Sequence, residues 1–330
     1  FIMVLLVMAV GMPSTLQYYK DNAESMMFAK YQYVLSDYED EDGNTVTTDN
    51  ADAEKFDMTS LQKKSDAFDE EVSVYGIEND SRYVQIDGLS ALKEGEVYIA
   101  KPFSEKYHLT KGDTVTLDEK YENKQYTFKV AGIYEKCQSI AVFMPIGQFG
   151  KVFALKDGQF GGFLSDTEIT DLEEDNVATV ITIRDITKMC DQLDHSMGSY
   201  MTYFQYLCIL LSIVMIYLLT KLIIEKNENA ISMTKILGYK NSEIAGLYLM
   251  ATTIAVLLID VVTVFLGEKV IVYVWAAMMT SYSGWFTFMV EPAGYLKMFA
   301  FVLIGYLIVM CFDFNRIRKI PMDEALKNVE

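Results

Sequence analysis

Two long apolar runs, separated by a short polar stretch, dominate the hydrophobic pattern of the chain. Residues 196–220 contain no charged side chain, and residues 244–267 contain only Asp260. About 20 apolar residues cross the hydrocarbon core of a bilayer as a helix, so both runs predict membrane-spanning helices. The polar stretch 221–243 is then a short loop. Its four lysines indicate that the loop lies on the cytoplasmic side.

The loop has a helical rhythm of its own. Its apolar positions approximate the i, i+3, i+4, i+7 spacing of one helix face, at Ala230, Ile231, Thr234, Ile236 and Leu237. Gly238 follows, where a helix C-terminus favours glycine. The pattern predicts a short amphipathic helix over 230–238, whose apolar face would meet a partner. The alternative is a solvated connector.

Two further apolar runs complete the membrane module. Residues 1–18 indicate the outer end of a membrane helix whose beginning is missing, so we expect a fragment of a longer protein. Residues 270–290 are also uncharged, but a crossing there would place the basic residues 316–319 outside, against the Lys/Arg rule. The predicted segments are transmembrane helices at 1–18, 196–224, 244–275 and 295–313, an extracytoplasmic domain and stalk at 19–195, a coupling loop at 225–243, an outer interfacial loop at 276–294 and a cytoplasmic tail at 314–330.

Short runs rich in Val, Ile and Tyr predict a sheet in the extracytoplasmic domain. The residues before the first of these runs, 20–31, are helix-like, residues 149–175 look irregular, and residues 184–199 show the spacing of a helical stalk. The predicted strands are YQYVL, NTVTT, VSVYGI, RYVQI, GEVYIA, DTVTLD, YTFKVAGIY, IAVFMP and VATVITI.

Charge is distributed unevenly between these two parts. Of 46 acidic and 28 basic residues, 36 acidic and 18 basic lie between residues 20 and 195, so the remainder is neutral. An acidic surface disfavours nucleic acid as a partner, because its binding depends on Lys and Arg neutralising phosphates. Of the four cysteines, Cys137 and Cys190 have no metal-like spacing; a disulfide between them stays open, with two free thiols favoured.

The sequence lacks the signatures of an enzyme. It has no phosphate-binding Gly-x-x-x-x-Gly-Lys-Ser/Thr motif, and its two histidines, His108 and His195, belong to no metal or catalytic pattern. The acidic run 37–42 lacks the spacing of a calcium loop, so we interpret it as a solvated hairpin turn. We expect no catalytic residue, no cofactor and no metal.

Asp260 is the remaining chemical candidate. An ionisable group inside a membrane helix is costly and is therefore a functional-site candidate. About 16 residues, roughly 24 Å of helix, separate Asp260 from residue 244, which favours a position near the outer headgroups. Both interpretations stay open.

The polar loop resembles the cytoplasmic loop of FtsX-like ABC permeases, the family that includes MacB and the lipoprotein-releasing permeases. The matching positions are Glu225-Lys226, Glu228, Ala230-Ile231 and Lys235-Ile236-Leu237-Gly238. In that family the loop carries a coupling helix that docks on an ABC ATPase. The resemblance therefore implies an ATPase-coupling role for Glu225, Lys226, Glu228, Ile231, Thr234, Lys235, Leu237 and Gly238, with the apolar side chains in a groove of the ATPase and the lysines at its rim.

The strand-rich region resembles the periplasmic core domain of MacB-like permeases, through GEVYIA, then KYHLTKGDTVTL, then YTFKVAGIY. The resemblance implies an α+β membrane protein with four transmembrane helices and a large extracytoplasmic domain. Its implied partners are an ABC ATPase, a second permease repeat or a homodimer partner, and membrane lipid. The implied function is export or extraction of a peptide, lipoprotein or other amphiphile. An FtsX-like regulator of a cell-wall hydrolase or sensor kinase is the alternative, and a membrane-anchored adhesion protein would leave the amphipathic loop unexplained.

Overall fold

The computed structural model describes residues 2–23, 27–65, 68–121 and 123–321. The chain divides into two compact units. The helical unit comprises residues 1–16, 193–274 and 288–330. The sheet unit comprises residues 17–192 and residues 275–287. Within the described residues, the α-helices are α1 (Ile2–Asp21), α2 (Lys101–Tyr107), α3 (Ile146–Val152), α4 (Ile183–Lys226), α5 (Glu228–Ile236), α6 (Asn241–Met279) and α7 (Pro292–Lys319).

Side-chain hydrogen bonds connect the long helices of the helical unit. Gln205 of α4 donates its amide N–H to the main-chain oxygen of Ala9 in α1, at 2.8 Å. The hydroxyl groups of Thr253 in α6 and Tyr306 in α7 lie 2.6 Å apart. Tyr306 is 1% exposed, so this polar contact lies in an otherwise apolar interior. A buried hydroxyl needs such a partner because leaving it unpaired would cost its full desolvation energy.

Within the described part of the chain, two helical stretches are long and apolar enough to cross a membrane, namely residues 200–226 and 292–319. α1 and α6 are not among them. α1 continues through Pro13 to Asp21, beyond the predicted end at residue 18, and α6 extends the predicted 244–275 at both ends. α7 continues to Lys319, so the first residues of the predicted tail are helical; residues 322–330 lie outside the described part.

Nine strands lie in the described residues of the sheet unit. They are β1 (Tyr31–Leu35), β2 (Glu54–Lys63), β3 (Glu70–Ile77), β4 (Glu96–Ala100), β5 (Thr114–Asp118), β6 (Gln125–Tyr134), β7 (Ala141–Pro145), β8 (Gly162–Ser165) and β9 (Val177–Thr182). Their order is β3-β7-β4-β6-β5-β2-β8-β1-β9, and β2 also pairs with β3. Six strands therefore form a closed ring of pairings, which β8, β1 and β9 extend. Most pairings are antiparallel; β3–β7 and β4–β6 are parallel.

Seven of the nine predicted strands are present, and two predictions are wrong. Residues 82–86 (RYVQI) and 44–48 (NTVTT) form no strand beyond a single bridge between Thr45 and Glu39. In the first, Arg82 and Tyr83 are bound to Asp52 and Glu54, which hold this segment as a turn. The mixed α and β composition with one large sheet domain is confirmed.

The structure adds elements that the sequence pattern did not indicate. β2 begins in a run of charged and apolar residues without a Val/Ile/Tyr stretch, and α3 and β8 lie at or within the supposedly irregular residues 149–175. At Gly162 of β8, an added Cβ would lie 2.0 Å from the main-chain oxygen of Tyr33. Only glycine permits this close approach of β8 to β1. Of the stretch 20–31 that the sequence predicts as helix-like, residues 20, 21 and 23 are helical, residues 24–26 lie outside the described part, and residues 27–30 form bends before β1 begins at Tyr31.

The acidic run is a hydrogen-bonded turn, as predicted. The carboxylate of Asp40 accepts the amide N–H groups of Asp42 and Asn44 at 3.0 and 2.7 Å, and Gly43 has a φ of +80°. These hydrogen bonds, led by that from Asn44, lower the pKa of Asp40. Among the described residues, no group of three His, Cys, Asp or Glu side chains is arranged to hold a metal ion. Cys137 is a buried free thiol, and the side chain of Cys190 lies outside the described part.

Candidate functional site

A short helix, α5, follows the long helix α4 after a single residue. At that residue, Asn227, the side-chain amide donates to the main-chain oxygen of Ile223 at 2.7 Å and closes the end of α4. α5 ends at Ile236, and Gly238 adopts a φ of +91°. The Gly238 N–H donates to the main-chain oxygen of Lys235 at 3.0 Å. This left-handed residue is the glycine helix end that the sequence indicates.

One face of α5 packs into the helical unit. Ile231 is fully buried, and Ser232 beside it donates its hydroxyl to the main-chain oxygen of Pro321 at 3.0 Å. The buried apolar cluster around this face brings together α4, α5, α6 and the end of α7, through Ile224, Ile231, Ile244, Ala245, Ile317 and Ile320. Ile231 is therefore unavailable to a partner, which corrects its expected place in an external groove.

Lys235 also faces inward. It is 6% exposed, and its ammonium group donates to the main-chain oxygens of Ile317, Arg318 and Ile320 at 2.6, 3.3 and 2.7 Å. The last carbonyl groups of a helix have no partner within the helix and carry partial negative charge, so a lysine there both pairs and neutralises them. Burial lowers the pKa of Lys235. The sequence-based expectation that Lys235 lies at a solvent-exposed rim is wrong.

The opposite face of α5 is apolar and exposed. Met233, Ile236, Leu237 and Tyr239 are 55%, 46%, 72% and 57% exposed. Thr234, between the two faces, is half-buried and donates its hydroxyl to the main-chain oxygen of Ala230 at 2.7 Å. A contiguous group of large exposed apolar side chains beside a polar edge is typical of a protein-binding surface. We call these four residues the exposed face of α5.

Charged side chains border the helix where α4 ends. A cleft of about 170 Å³ is lined by Ile224, Glu225, Glu228, Arg316, Lys319 and Ile320. Arg316 of α7 donates to the carboxylate of Glu225 at 3.0 Å, and Lys221 lies 3.8 Å from the same carboxylate. Lys226 is exposed. The structure thus brings Glu225 and Glu228 together near α7, while Lys226 remains at the surface.

Comparison with known proteins shows that the segment containing α5 resembles a known family. Residues 203–322 match the family described as FtsX-like permease C-terminal. This part of the chain is similar to an FtsX-like permease C-terminal domain, and we call it the FtsX-like domain. It contains most of α4, all of α5 and α6, and α7.

The other comparisons concern the whole chain. One similar solved structure is the extracellular domain of the noncanonic ABC-type transporter YknZ from Gram-positive bacteria. It has 14% sequence identity and a TM-score of 0.28, and the match covers 42% of this chain and 85% of that one. No curated protein sequence matches the chain.

Two acidic residues lie buried within the FtsX-like domain. Asp260, at the middle of α6, is 4% exposed, and its Oδ1 atom has no hydrogen-bond partner among the described residues. Asp313 of α7 is 1% exposed. Asp260 was a candidate from the sequence, whereas Asp313 was not, although a carboxylate close to the basic end of the last apolar run was a visible signal.

The sequence pattern correctly predicted the helix α5, but the prediction of which face is exposed was wrong. The apolar spacing joins residues that the structure divides between two faces, since Ile231 faces inward and Leu237 outward. Met233 and Tyr239 were missed. Met233 stands three and four residues before Ile236 and Leu237, so a second stripe at helical spacing was visible in the sequence, whereas Tyr239 lies beyond the end of the helix. Which stripe is buried depends on contacts with Ile317 and Ile320, more than 80 residues away, and local periodicity does not contain that information.

Proposed function

We propose that the chain is a permease subunit of an FtsX/MacB-type ABC transporter and that the exposed face of α5 docks on the partner ATPase. The observation that carries this proposal is that one short helix within the FtsX-like domain has a buried face and an exposed apolar face. One face is locked into the helical unit by Ile231 and Lys235, and the other presents Leu237 and its neighbours to the outside.

This arrangement suits a coupling element. A helix fixed to the ends of α4 and α7 cannot be displaced without moving them, because Ile231 on its inner face is fully buried among their side chains and its lysine is bonded to three carbonyls. A push from an ATPase on the exposed face would therefore reach the long helices. Hydrolysis of ATP would take place in the partner, and the chain itself would be no enzyme.

α4 provides a continuous route away from this point. It runs unbroken from Ile183 to Lys226, and residue 183 directly follows the last strand, β9. Its 44 residues correspond to about 66 Å of helix, about twice the thickness of the hydrocarbon core. We propose that the part beyond the bilayer is the stalk, and that the helix carries motion from the coupling helix to an extracytoplasmic sheet domain.

The proposed topology has four crossings, by α1, α4, α6 and α7, in a bacterial cell membrane. Support comes from large apolar side chains that α4 leaves uncovered, among them Leu210, Val214 and Leu218, which are 44–57% exposed. Such a surface is stable against lipid or against another apolar helix. The occupants that we propose are membrane lipid and a second permease repeat or homodimer partner. The transported molecule would be a peptide, lipoprotein or other amphiphile.

Co-purification of the ATPase tests the docking role. Burial of a leucine side chain contributes roughly 1.5–3 kcal/mol, so Leu237→Asp should weaken assembly at least about tenfold. Lys226→Ala removes an exposed charge, whose contribution to assembly should be about 0–1 kcal/mol, and serves as the matched control. Recovery of the ATPase should fall with Leu237→Asp and persist with Lys226→Ala. Unchanged recovery with a membrane-inserted Leu237→Asp variant would contradict the proposal.

A further inference from the structure

A buried ion pair in the sheet unit holds a segment that lies far away in the sequence. Glu70 begins β3 and Lys106 lies on α2; both side chains are 1% exposed and they contact each other directly. Lys106 also donates to the main-chain oxygens of Tyr282 and Gly284, at 2.6 and 3.0 Å. An ammonium group has three N–H donors, so all of them are used here.

Glu70 completes the contact from the other side. Its Oε1 atom accepts the amide N–H of Gly284 at 2.8 Å and the hydroxyl of Ser283 at 3.3 Å. The pair therefore bonds to donors and acceptors of residues 282–284 together. We call residues 275–287 the outer segment.

Other side chains fix the rest of the outer segment. Trp285, which is 8% exposed, donates its indole N–H to Glu105 at 2.8 Å. Tyr19 accepts the amide N–H of Thr287 at its hydroxyl, at 3.0 Å, and packs edge-to-face on Phe286. The sequence predicts an outer interfacial loop over residues 276–294. In the structure, residues 282–285 belong to the sheet unit and bond to Glu70, Glu105 and Lys106.

The outer segment is continuous with two helices of the FtsX-like domain. α6 ends within it at Met279, and α7 begins five residues after its last residue. A buried ion pair is weak evidence for stability, because desolvation of the two charges offsets their attraction. What such a pair does secure is one defined geometry, since a displaced partner leaves an unpaired charge in the interior.

We propose that the Glu70–Lys106 pair is a transmission point that passes movement of the outer ends of α6 and α7 to β3 and α2 of the sheet unit. This second route, parallel to the stalk, rests on the proposed permease function. In this role Glu70 and Lys106 are positioning residues. The outer segment is displaced together with the helices that bear it, and the pair obliges the sheet to follow.

Hydrogen exchange of the full chain in lipid nanodiscs tests the pair itself. The double variant Glu70→Met and Lys106→Met removes both charges at similar side-chain volume, which avoids one unpaired buried charge. The amide of Gly284 should then exchange about tenfold faster or more, because its charge-assisted hydrogen bond is lost. The matched control is Glu96→Met and Lys129→Met, at a partly exposed pair 3.8 Å apart between β4 and β6, and should leave Gly284 protected. Equal protection of Gly284 in wild type and double variant would refute the pair's role.

A second arm adds the partner ATPase, trapped with ADP and vanadate. In wild type and control, exchange in β3 and α2 should change on trapping together with exchange in the outer segment. In the double variant, the outer segment should still respond while β3 and α2 no longer do. A full response of β3 and α2 in the double variant would overturn the transmission role.

A second variant tests the same role if the Glu70→Met and Lys106→Met double variant fails to fold. Gly284 has a φ of +82°, which a β-branched residue rarely adopts, so Gly284→Val should release the outer segment with both charges retained. It should reproduce the loss of response in β3 and α2. Failure of the ATPase to bind any sample would contradict the permease function, and with it the transmission role. The first arm would still show whether the pair holds the outer segment.

Discussion

Asp57 is a carboxyl group that the sheet keeps away from water. It lies in β2, is 7% exposed, and accepts one hydrogen bond, from the amide of Met58 at 2.8 Å. Desolvation by burial raises its pKa from 3.8 to about 6. The folded state therefore binds this proton more tightly than the unfolded state does. Between about pH 4 and pH 6, the free energy of unfolding should fall as the pH rises. In that range the unfolded chain releases this proton readily, whereas the folded protein must either keep the proton or bury a charged carboxylate.

Asp57→Asn should remove this dependence. At pH 7.5 the variant should unfold at higher temperature than wild type, with a gain of up to about 3 kcal/mol since each pKa unit corresponds to 1.36 kcal/mol. At pH 4 the two should be nearly equal. Both tryptophans, Trp275 and Trp285, belong to the sheet unit, so tryptophan fluorescence during heating reports its unfolding. A gain that is the same at both pH values would contradict the assignment.

The link between α5 and α7 belongs to the scale of whole elements. Lys235 of α5 caps the last carbonyl groups of α7, and Ser232 bonds to Pro321 just beyond. Hydrogen bonds from a charged group contribute about 1.5–3 kcal/mol each. Lys235→Met should therefore open the last turn of α7 at least about tenfold more often. Lys226→Met is the matched control, because Lys226 is exposed.

Hydrogen exchange of amides 317–320 measures this opening. Exchange should accelerate with Lys235→Met and remain at the wild-type rate with Lys226→Met. Equal rates in all three proteins would show that the two helices are held together without Lys235, by the apolar cluster around Ile231 alone.

Elements with a strong local pattern could be predicted from the sequence, and those defined by distant contacts could not. β4, β5 and β6 have alternating β-branched and aromatic residues, and the left-handed glycine after α5 follows from its position. β2 begins with Glu54 and Lys55, and its partners β3 and β8 determine that it is a strand. The same holds for Lys235 and Lys106. A lysine in a sequence predicts an exposed position. Here the carbonyl groups that bind Lys235 and Lys106 belong to segments more than 80 residues away.

For the whole molecule, the proposed topology places the sheet unit outside the cell and α5 inside it. Asp42, in the exposed turn of the sheet unit, and Asn229, exposed on α5, are suitable positions for cysteine probes once the exposed Cys311 is replaced. A membrane-impermeant reagent should label Asp42→Cys in intact cells and label Asn229→Cys only after the membrane is opened. Asn328, which lies beyond the described residues, should behave like Asn229. Labelling of Asn229→Cys in intact cells would overturn the topology.

Photocrosslinking from α5 tests most directly whether an ATPase docks there. A photoreactive amino acid at Leu237 and one at Tyr200 of α4 compare two side chains that are both 72% exposed, so accessibility is matched. Irradiation of native membranes should link position 237 to a protein that mass spectrometry identifies as an ABC ATPase, and should not link position 200 to it. Crosslinks to the ATPase from both positions, or from neither in membranes that contain it, would contradict a coupling role for the exposed face of α5.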